Sequence, residues 1–360
     1  MAEAAEVGRR LAAYLGVPLS DPRILASGWE TTVFEFAPAH RASRLPGVVA
    51  GQRLVVRCYE GPRADDKGRR ESRTIAALAA ANYPVPQPYL YEPDPAPLGT
   101  PFLVMERVAG GPLFVTRNFP QAFKTFSLGL IGFVRAQTRL HRLRADTPGL
   151  RDFTGACSSA NVRPEASLLE RILGVIAERI EQGPLPGLRD ALASLGERVD
   201  RFRTAPAAVV HMDYHPQNVI VRGVRVTGVI DWVSADRGDR HLCAATTAVI
   251  LASSAMDHPR WIRDNAAGNA LRALFTALYI PLYQALAPME WERFRYCQAV
   301  AALQRLSMFG IMRARGPEAA GFRPGAIANV TPGVVRLLSR YAARKSGAAV
   351  RLDLAKPLPV

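Results

Sequence analysis

The sequence predicts an α+β chain folded in two lobes, a small antiparallel sheet near the N-terminus and a larger, mainly helical C-terminal lobe. Two patterns carry that reading. Short apolar runs, separated by Gly, Pro and Asn, fill the first 107 residues and read as strands. From about residue 123 apolar residues recur at helical spacing, interrupted by one strand–loop–strand unit over 207–230. The chain has 360 residues, of which 49% are hydrophobic, enough to bury a core in each of two lobes.

Taken in order, residues 23–36 read as strand, turn, strand, with Ser27, Gly28, Thr31 and Thr32 around the turn. A Gly beside small hydroxyl residues lets backbone N–H groups close over phosphates; the alternative is an ordinary hairpin turn. The run over 53–59 alternates, which puts Val55 and Arg57 on one face of a strand. Arg53 is the other cation on that face, and the nearest lysine, Lys67, falls beyond the strand. A helix is expected over 66–81, with Glu71 in its first turns. Glu71 is there either as an ion-pair partner for Arg57 or as a solvated charge at a helix N-terminus. Asn82, Pro84 and Pro86 end that helix. Strands follow over 88–91 and 101–107, the second running into Val108, Gly110, Gly111 and Pro112. Further helices are expected over 123–143, 165–181, 188–203, 242–255, 261–286, 290–315 and 334–344. Aromatic residues in the later helices, such as Tyr279, Tyr283 and Trp261, read as core packing. Residues 346–360 read as a loosely ordered tail.

The interrupting unit carries the chemistry. An apolar run over 207–210 leads into His211-Met212-Asp213-Tyr214-His215-Pro216-Gln217-Asn218, and a hairpin turning at Gly223 leads to Ile230-Asp231-Trp232. Two carboxylates and an amide thereby reach the mouth of a small sheet. A lone H-x-D is most often a cap or turn, but here the three elements fall in order, each flanked by apolar runs. Phosphoryl transfer uses such a set: one Asp orients the hydroxyl and takes its proton, while an Asn and a second Asp hold Mg²⁺ against the phosphates.

These motifs resemble the aminoglycoside phosphotransferase and choline kinase-like small-molecule kinases, whose usual form is H-G-D-x-H-x-x-N followed by I-D-W. The resemblance covers roughly residues 20–245 and implies a protein-kinase-like fold, with a nucleotide-binding lobe over 1–108 and a helical lobe over 109–345 holding the catalytic loop and acceptor pocket. It implies ATP (or GTP) and Mg²⁺ as cofactors and a small-molecule hydroxyl as acceptor. Asp213, Asn218 and Asp231 become the catalytic residues, the last two as metal ligands. Ser27, Gly28, Thr31, Val55, Arg57 and Glu71 would line the nucleotide, with the Glu106 carbonyl and Val108 N–H on the adenine edge. His211 and His215 would brace the loop. The chain departs from the pattern at Arg57, where Lys is usual, at Val233, where Glu is frequent, and at Cys243, in the place of a structural Asp. A nucleotide-binding pseudokinase without turnover is the alternative reading.

Bulk properties add exclusions. A net charge of +15 would suit nucleic-acid binding. The basic residues, however, are nearly all Arg and spread along the chain without aromatic interleaving, so no specific nucleic acid is expected. A polycationic acceptor would be repelled at long range unless its pocket were acidic, and the acids of the later helices (Asp257, Asp264, Glu290, Glu292) are scattered. Cys58, Cys157, Cys243 and Cys297 show no paired spacing and read as buried small hydrophobes in a reducing compartment. Residues 1–15 mix charges with alanines, unlike a signal peptide, and no run is long enough to span a bilayer. The expectation is a cytoplasmic protein; the oligomeric state is not legible.

Overall fold

Alternation along one strand sorts the N-terminal lobe into two layers. The computed structural model describes residues 2–20, 22–27, 31–61, 63–113, 119–143, 162–163, 165–253 and 266–352. Gly28, Cys157, Asp257, Trp261 and Asp264 lie outside them. Helix α1 (Ala2–Leu15) precedes a five-stranded antiparallel sheet formed by β1 (Arg23–Ser27), β2 (Thr31–Phe36), β3 (Leu54–Tyr59), β4 (Pro88–Glu92) and β5 (Phe102–Glu106). Their spatial order is β1-β2-β3-β5-β4. Leu54, Val56 and Cys58 of β3 join Phe34, Phe36 and Val104 in a core that includes Leu11 and Leu15 of α1. Val55 and Tyr59 enter the main core with Leu103, Met105, and Ile75 and Leu78 of α2 (Ala64–Ala80). Period-two side-chain direction is the cause. A Cβ at Gly68 of α2 would come within 2.6 Å of the Tyr91 ring and 2.9 Å of the Tyr59 ring, so the glycine sets how closely α2 packs on the sheet.

The second lobe begins with β6 (Gly111–Pro112), which pairs with β8 (Val219–Arg222). Helices α3 (Phe119–His141), α4 (Leu168–Gln182), α5 (Arg189–Gly196) and α6 (Val199–Phe202) lead to β7 (Ala207–Val210), β8 and β9 (Arg225–Val229). After them come β10 (Asp236–Asp239), α7 (Arg240–Ser253), α8 (Ala266–Leu286), α9 (Trp291–Arg315) and α10 (Pro332–Ser346). Helix α4 starts with a capping box in which Ser167 and Glu170 exchange hydrogen bonds. The centre of the lobe is α7 against α9, both buried over most of their surface. No helix among the described residues is long and apolar enough to cross a membrane.

Several expectations need correction. Residues 2–15, expected only to lack a signal peptide, form helix α1, with Ala4, Gly8, Leu11 and Leu15 buried at helical spacing. The helix expected over 188–203 is interrupted between Gly196 and Val199, giving α5 and α6. Strand β10 is polar and has no alternating apolar signal. It forms because β7 supplies the ladder and buried Asp236 and Asp239 pair with Arg171 and Arg293. The tail expected to be loose from 346 is docked at its start: Val350 is buried and the Arg351 N–H donates to the Gly187 carbonyl at 3.0 Å. Cys58, Cys243 and Cys297 are buried, as expected of small hydrophobes.

Candidate active site

Strand β7 delivers the chain into a loop that its own side chains hold in shape. The His211 ring is fully buried against Trp232, with centroids 4.5 Å apart. Its Nε2 donates to the Ile230 carbonyl at 2.9 Å and its Nδ1 accepts the Asp213 N–H at 3.3 Å. Burial lowers the His211 pKa, so the ring stays neutral in that tautomer. Met212 takes a positive φ of 60° to turn the chain. The Tyr214 hydroxyl donates to the Phe133 carbonyl of α3 at 2.7 Å, and Thr247 of α7 donates to the Tyr214 carbonyl at 2.9 Å. His215 caps the short 3-10 turn Pro216–Asn218 by accepting the Gln217 N–H.

That frame brings Asp213 and Asn218 together. The Asn218 amide donates to the Asp213 carbonyl at 3.0 Å and to its carboxylate at 3.3 Å. With Nδ2 so committed, Oδ1 is the Asn218 atom left for a ligand. The Asp213 side chain is 38% exposed, with His215 Nε2 3.5 Å from its carboxylate. Burial pushes the Asp213 carboxyl up, but His215, Arg305 and His211 outweigh it and hold the pKa below the ordinary Asp value. Asp213 is therefore an anion at neutral pH.

The second constellation joins the lobes. Arg57 of β3, 5% exposed, lies with Nε 3.1 Å from Glu71 of α2 and with a terminal nitrogen donating to Asp231 at 2.6 Å. Glu71 is completely buried and accepts from the Tyr59 hydroxyl at 2.7 Å and from the Trp232 N–H at 2.9 Å. The ion-pair reading of Glu71 is thus the observed one. Burial would lower the Arg57 pKa, but Asp231 and Glu71 more than offset it and keep the guanidinium charged. Asp231 holds a φ of 66°, an uncommon backbone for a non-glycine residue, and its side chain is 37% exposed. Because the Ile230 N–H donates to the Asn218 carbonyl at 2.9 Å, the strand leading to Asp231 is tied to the loop of Asp213.

The remaining expected residues fall around this centre. Val55 is buried two residues before Arg57 on the same strand face. Thr31 is buried and pairs across the sheet with Tyr59. Ser27 is placed only as the end of β1, and Gly28 lies outside the described residues. Glu106 ends β5, and the Val108 N–H donates no hydrogen bond among the described residues. Arg53, the other cation on the β3 face, pairs with Glu35 and is mostly exposed. Lys67 donates to the Gly321 carbonyl at 2.9 Å. Val233 is buried, and the Cys243 thiol faces the backbone N–H groups of Met212 and His211 where the resemblance leads one to expect a carboxylate.

Three participants escaped the sequence reading. Tyr59, two residues beyond Arg57 and therefore on its face, was legible in principle as the partner of Glu71. Arg323, in the 3-10 turn region before α10, reaches Thr32 and Glu60 across the lobes, and Arg305 of α9 acts on Asp213. Neither carries a local sequence signal.

A small antiparallel sheet over a helical lobe, with a buried cation–carboxylate pair between them, is the protein-kinase-like arrangement. The chain belongs to the Phosphotransferase enzyme family (APH), whose profile matches residues 21–289. Solved structures agree on the fold. A Ralstonia eutropha JMP134 protein assigned to the aminoglycoside phosphotransferases is 17% identical, with a TM-score of 0.62 over 93% of this chain and 98% of that one. A thermostable mutant of aminoglycoside phosphotransferase APH(4)-Ia, in ternary complex with AMP-PNP and hygromycin B, is 17% identical with a TM-score of 0.58, covering 92% of this chain and 100% of that one. Macrolide 2'-phosphotransferase type I is 14% identical, with a TM-score of 0.56 over 98% of both chains. No curated protein sequence matches the chain.

Proposed function

We propose that this phosphotransferase moves the γ-phosphoryl group of ATP to a hydroxyl of a small molecule, between a nucleotide lobe over 1–108 and a helical lobe over 109–345. The observation that carries the reading is the joining of Arg57, Glu71 and Asp231 directly behind the Asp213–Asn218 loop. Val55 packs over the base, and the Glu106 carbonyl and the Val108 N–H meet its edge. Arg57, positioned by Glu71, grips the α- and β-phosphates through its fork. The turn around Ser27, Gly28 and Thr31 closes over the phosphates.

Asp213 takes the acceptor proton as the acceptor oxygen bonds to the γ-phosphorus and the bond from that phosphorus to the bridging oxygen breaks. ADP leaves with the electron pair, and the proton passes from Asp213 to solvent. The donor set suits Mg²⁺, with hard oxygens from the Asp231 carboxylate and Asn218 Oδ1. Among the described residues no cluster of three or more His, Cys, Asp or Glu could hold a metal alone, which fits an ion that keeps one or two protein ligands beside nucleotide phosphates. When bound, Mg²⁺ supplies neutralisation of the phosphate charge.

The test is ATP consumption against aminoglycosides, macrolides, amino alcohols, sugars and hydroxy acids, repeated with Asp213→Asn on any acceptor found. The variant keeps nucleotide binding and loses roughly 10²- to 10⁴-fold in kcat, the usual worth of a positioned proton acceptor. An unchanged kcat removes Asp213 from the role. Nucleotide binding without turnover on any acceptor class would favour the pseudokinase.

A further inference from the structure

After α9 the chain does not stay with its own lobe. Two 3-10 turns follow the helix, Pro317–Ala320 and Pro324–Asn329, and Gly321 between them takes a φ of 85° that suits a residue without a Cβ. Ala320, Phe322 and Ile327 pack on the main core. From that footing the segment reaches the N-terminal lobe at two points. The Gly321 carbonyl accepts from the Lys67 ammonium of α2 at 2.9 Å, and Arg323 donates to the Glu60 carboxylate and to the Thr32 hydroxyl. The Thr32 hydroxyl in turn donates to Glu60 at 3.3 Å. Thr32 and Lys67 are buried, whereas the Glu60 side chain is 41% exposed.

The two anchor points fall on the elements that carry the buried Arg57–Glu71 pair. Lys67 stands four residues before Glu71, so both project from one face of α2. Glu60 comes three residues after Arg57, and Thr32 pairs across the sheet with Cys58, the neighbour of Arg57. Helix α2 needs holding at this end, because its N-cap residue Arg63 makes no side-chain cap and sits at a φ of 60°. Tyr91 of β4 fixes Asp65 from within the lobe at 2.7 Å, and the Gly321 carbonyl fixes Lys67 from outside it. The covalent link between the lobes leaves β5 at Glu106, opposite Leu54 at the start of β3, whereas Glu60 lies past the end of β3 at Tyr59. Residues 107–110 and residues 316–329 therefore hold β3 from opposite ends, with Arg57 between them. An ion pair as exposed as Arg323–Glu60 contributes little to stability. Its consequence is geometric: it sets where β3 and α2 stand over the helical lobe.

We propose that residues 316–329 form an interlobe strap in which Arg323, with the Gly321 carbonyl on Lys67, holds β3 and α2 so that Arg57 and Glu71 stand in register for the nucleotide phosphates. Arg323 and Lys67 are positioning residues that act through Arg57 and Glu71. The effect on ATP rests on the nucleotide reading above, while the strap is measurable without any ligand.

The full chain is compared with Arg323→Ala, Arg323→Lys, Glu60→Arg and the exchanged pair Arg323→Glu with Glu60→Arg. Amide hydrogen exchange is followed without ligand, and calorimetric titration gives the affinities for ATP with Mg²⁺ and for adenosine. In Arg323→Ala, exchange over residues 60–71 quickens about tenfold while α7 keeps its rate. ATP binds about tenfold more weakly and adenosine no more than about twofold, since adenosine has no phosphates to misplace. Glu60→Arg, which sets two cations together, shows the same losses. The exchanged pair recovers most of them, and Arg323→Lys falls between wild type and Arg323→Ala. Unaltered exchange over residues 60–71 in Arg323→Ala overturns the proposal, as does an exchanged pair no better than Glu60→Arg. Unchanged ATP affinity in Arg323→Ala, or equal weakening of ATP and adenosine, overturns it as well. Should Arg323→Ala not fold, Arg323→Lys and the exchanged pair decide by the same readouts. Failure of the phosphotransferase reading has a separate signature, a wild type without Mg²⁺-dependent ATP binding, and exchange then decides the strap alone.

Discussion

Replacing Arg57 with alanine perturbs two things that can be measured apart. In the fold, the side chain is 6% exposed and bridges Glu71, which has no exposed surface, and Asp231. Removing one member of a buried ion pair costs about 3–5 kcal/mol. Glu71 would still accept from Tyr59 and from the Trp232 N–H, and the part-exposed Asp231 can turn to water, so the lower end, about 3 kcal/mol, is expected. In binding, a charge-assisted contact to phosphate contributes about 1.5–3 kcal/mol, which is roughly a tenfold to hundredfold loss of ATP affinity. Adenosine lacks the phosphates and would be held by Val55 and the segment around Val108, so its affinity should change by no more than about twofold. Arg57→Lys recovers part of the ATP loss, since a point charge attracts phosphate but lacks the fork. Glu71→Gln shows a smaller loss of the same kind. Calorimetric titration of ATP and adenosine against the three variants gives the answer. Equal weakening of both ligands would refute the assignment and reduce Arg57 to a brace between lobes.

Two further predictions concern protons. Asp213 is held below its ordinary pKa of 3.8 and His211 is kept neutral by burial, so kcat/KM should stay flat from pH 8 to pH 5, with the acid limb below the ordinary Asp value. A limb near pH 6.5 that disappears on substituting His211 would contradict this. His141, buried on α3 with its Nδ1 2.7 Å from the Tyr283 hydroxyl, has its pKa lowered from 6.5 to about 3, chiefly by burial. Between those values the unfolded chain binds a proton that the native one refuses, so stability falls as pH drops below 6.5, by about 1.4 kcal/mol per pH unit. At pH 5 that amounts to about 2 kcal/mol, and His141→Gln should abolish it. Urea unfolding of both proteins at pH 7 and pH 5 is the comparison, and an equal pH-dependent loss in both would exclude His141.

What was legible in the chain was local. Alternation over 53–59 assigned Val55 and Arg57 to one face because a strand has no other option, and the order His211, Asp213, Asn218, Asp231 located the centre. The Arg57–Asp231 contact spans 174 residues of sequence, so only a resemblance to a known family could suggest it. Polar β10 was unreadable, since its ladder partner and the arginines that neutralise Asp236 and Asp239 lie elsewhere in the chain. Helix α1 is a different matter. Its buried residues stand at helical spacing, but the charges interspersed among them mask the apolar stripe.

In the proposed mechanism Asp231 carries metal for a nucleotide held by the N-terminal lobe. Thermal unfolding of the wild type and of Asp231→Ala, each with ATP in the presence and absence of Mg²⁺, tests it most directly. Wild-type stabilisation by ATP should require Mg²⁺ and be abolished in the variant, with Asn218→Ala shifting the Mg²⁺ requirement less severely. An ATP-induced shift of the same size and the same Mg²⁺ dependence in wild type and Asp231→Ala would contradict it.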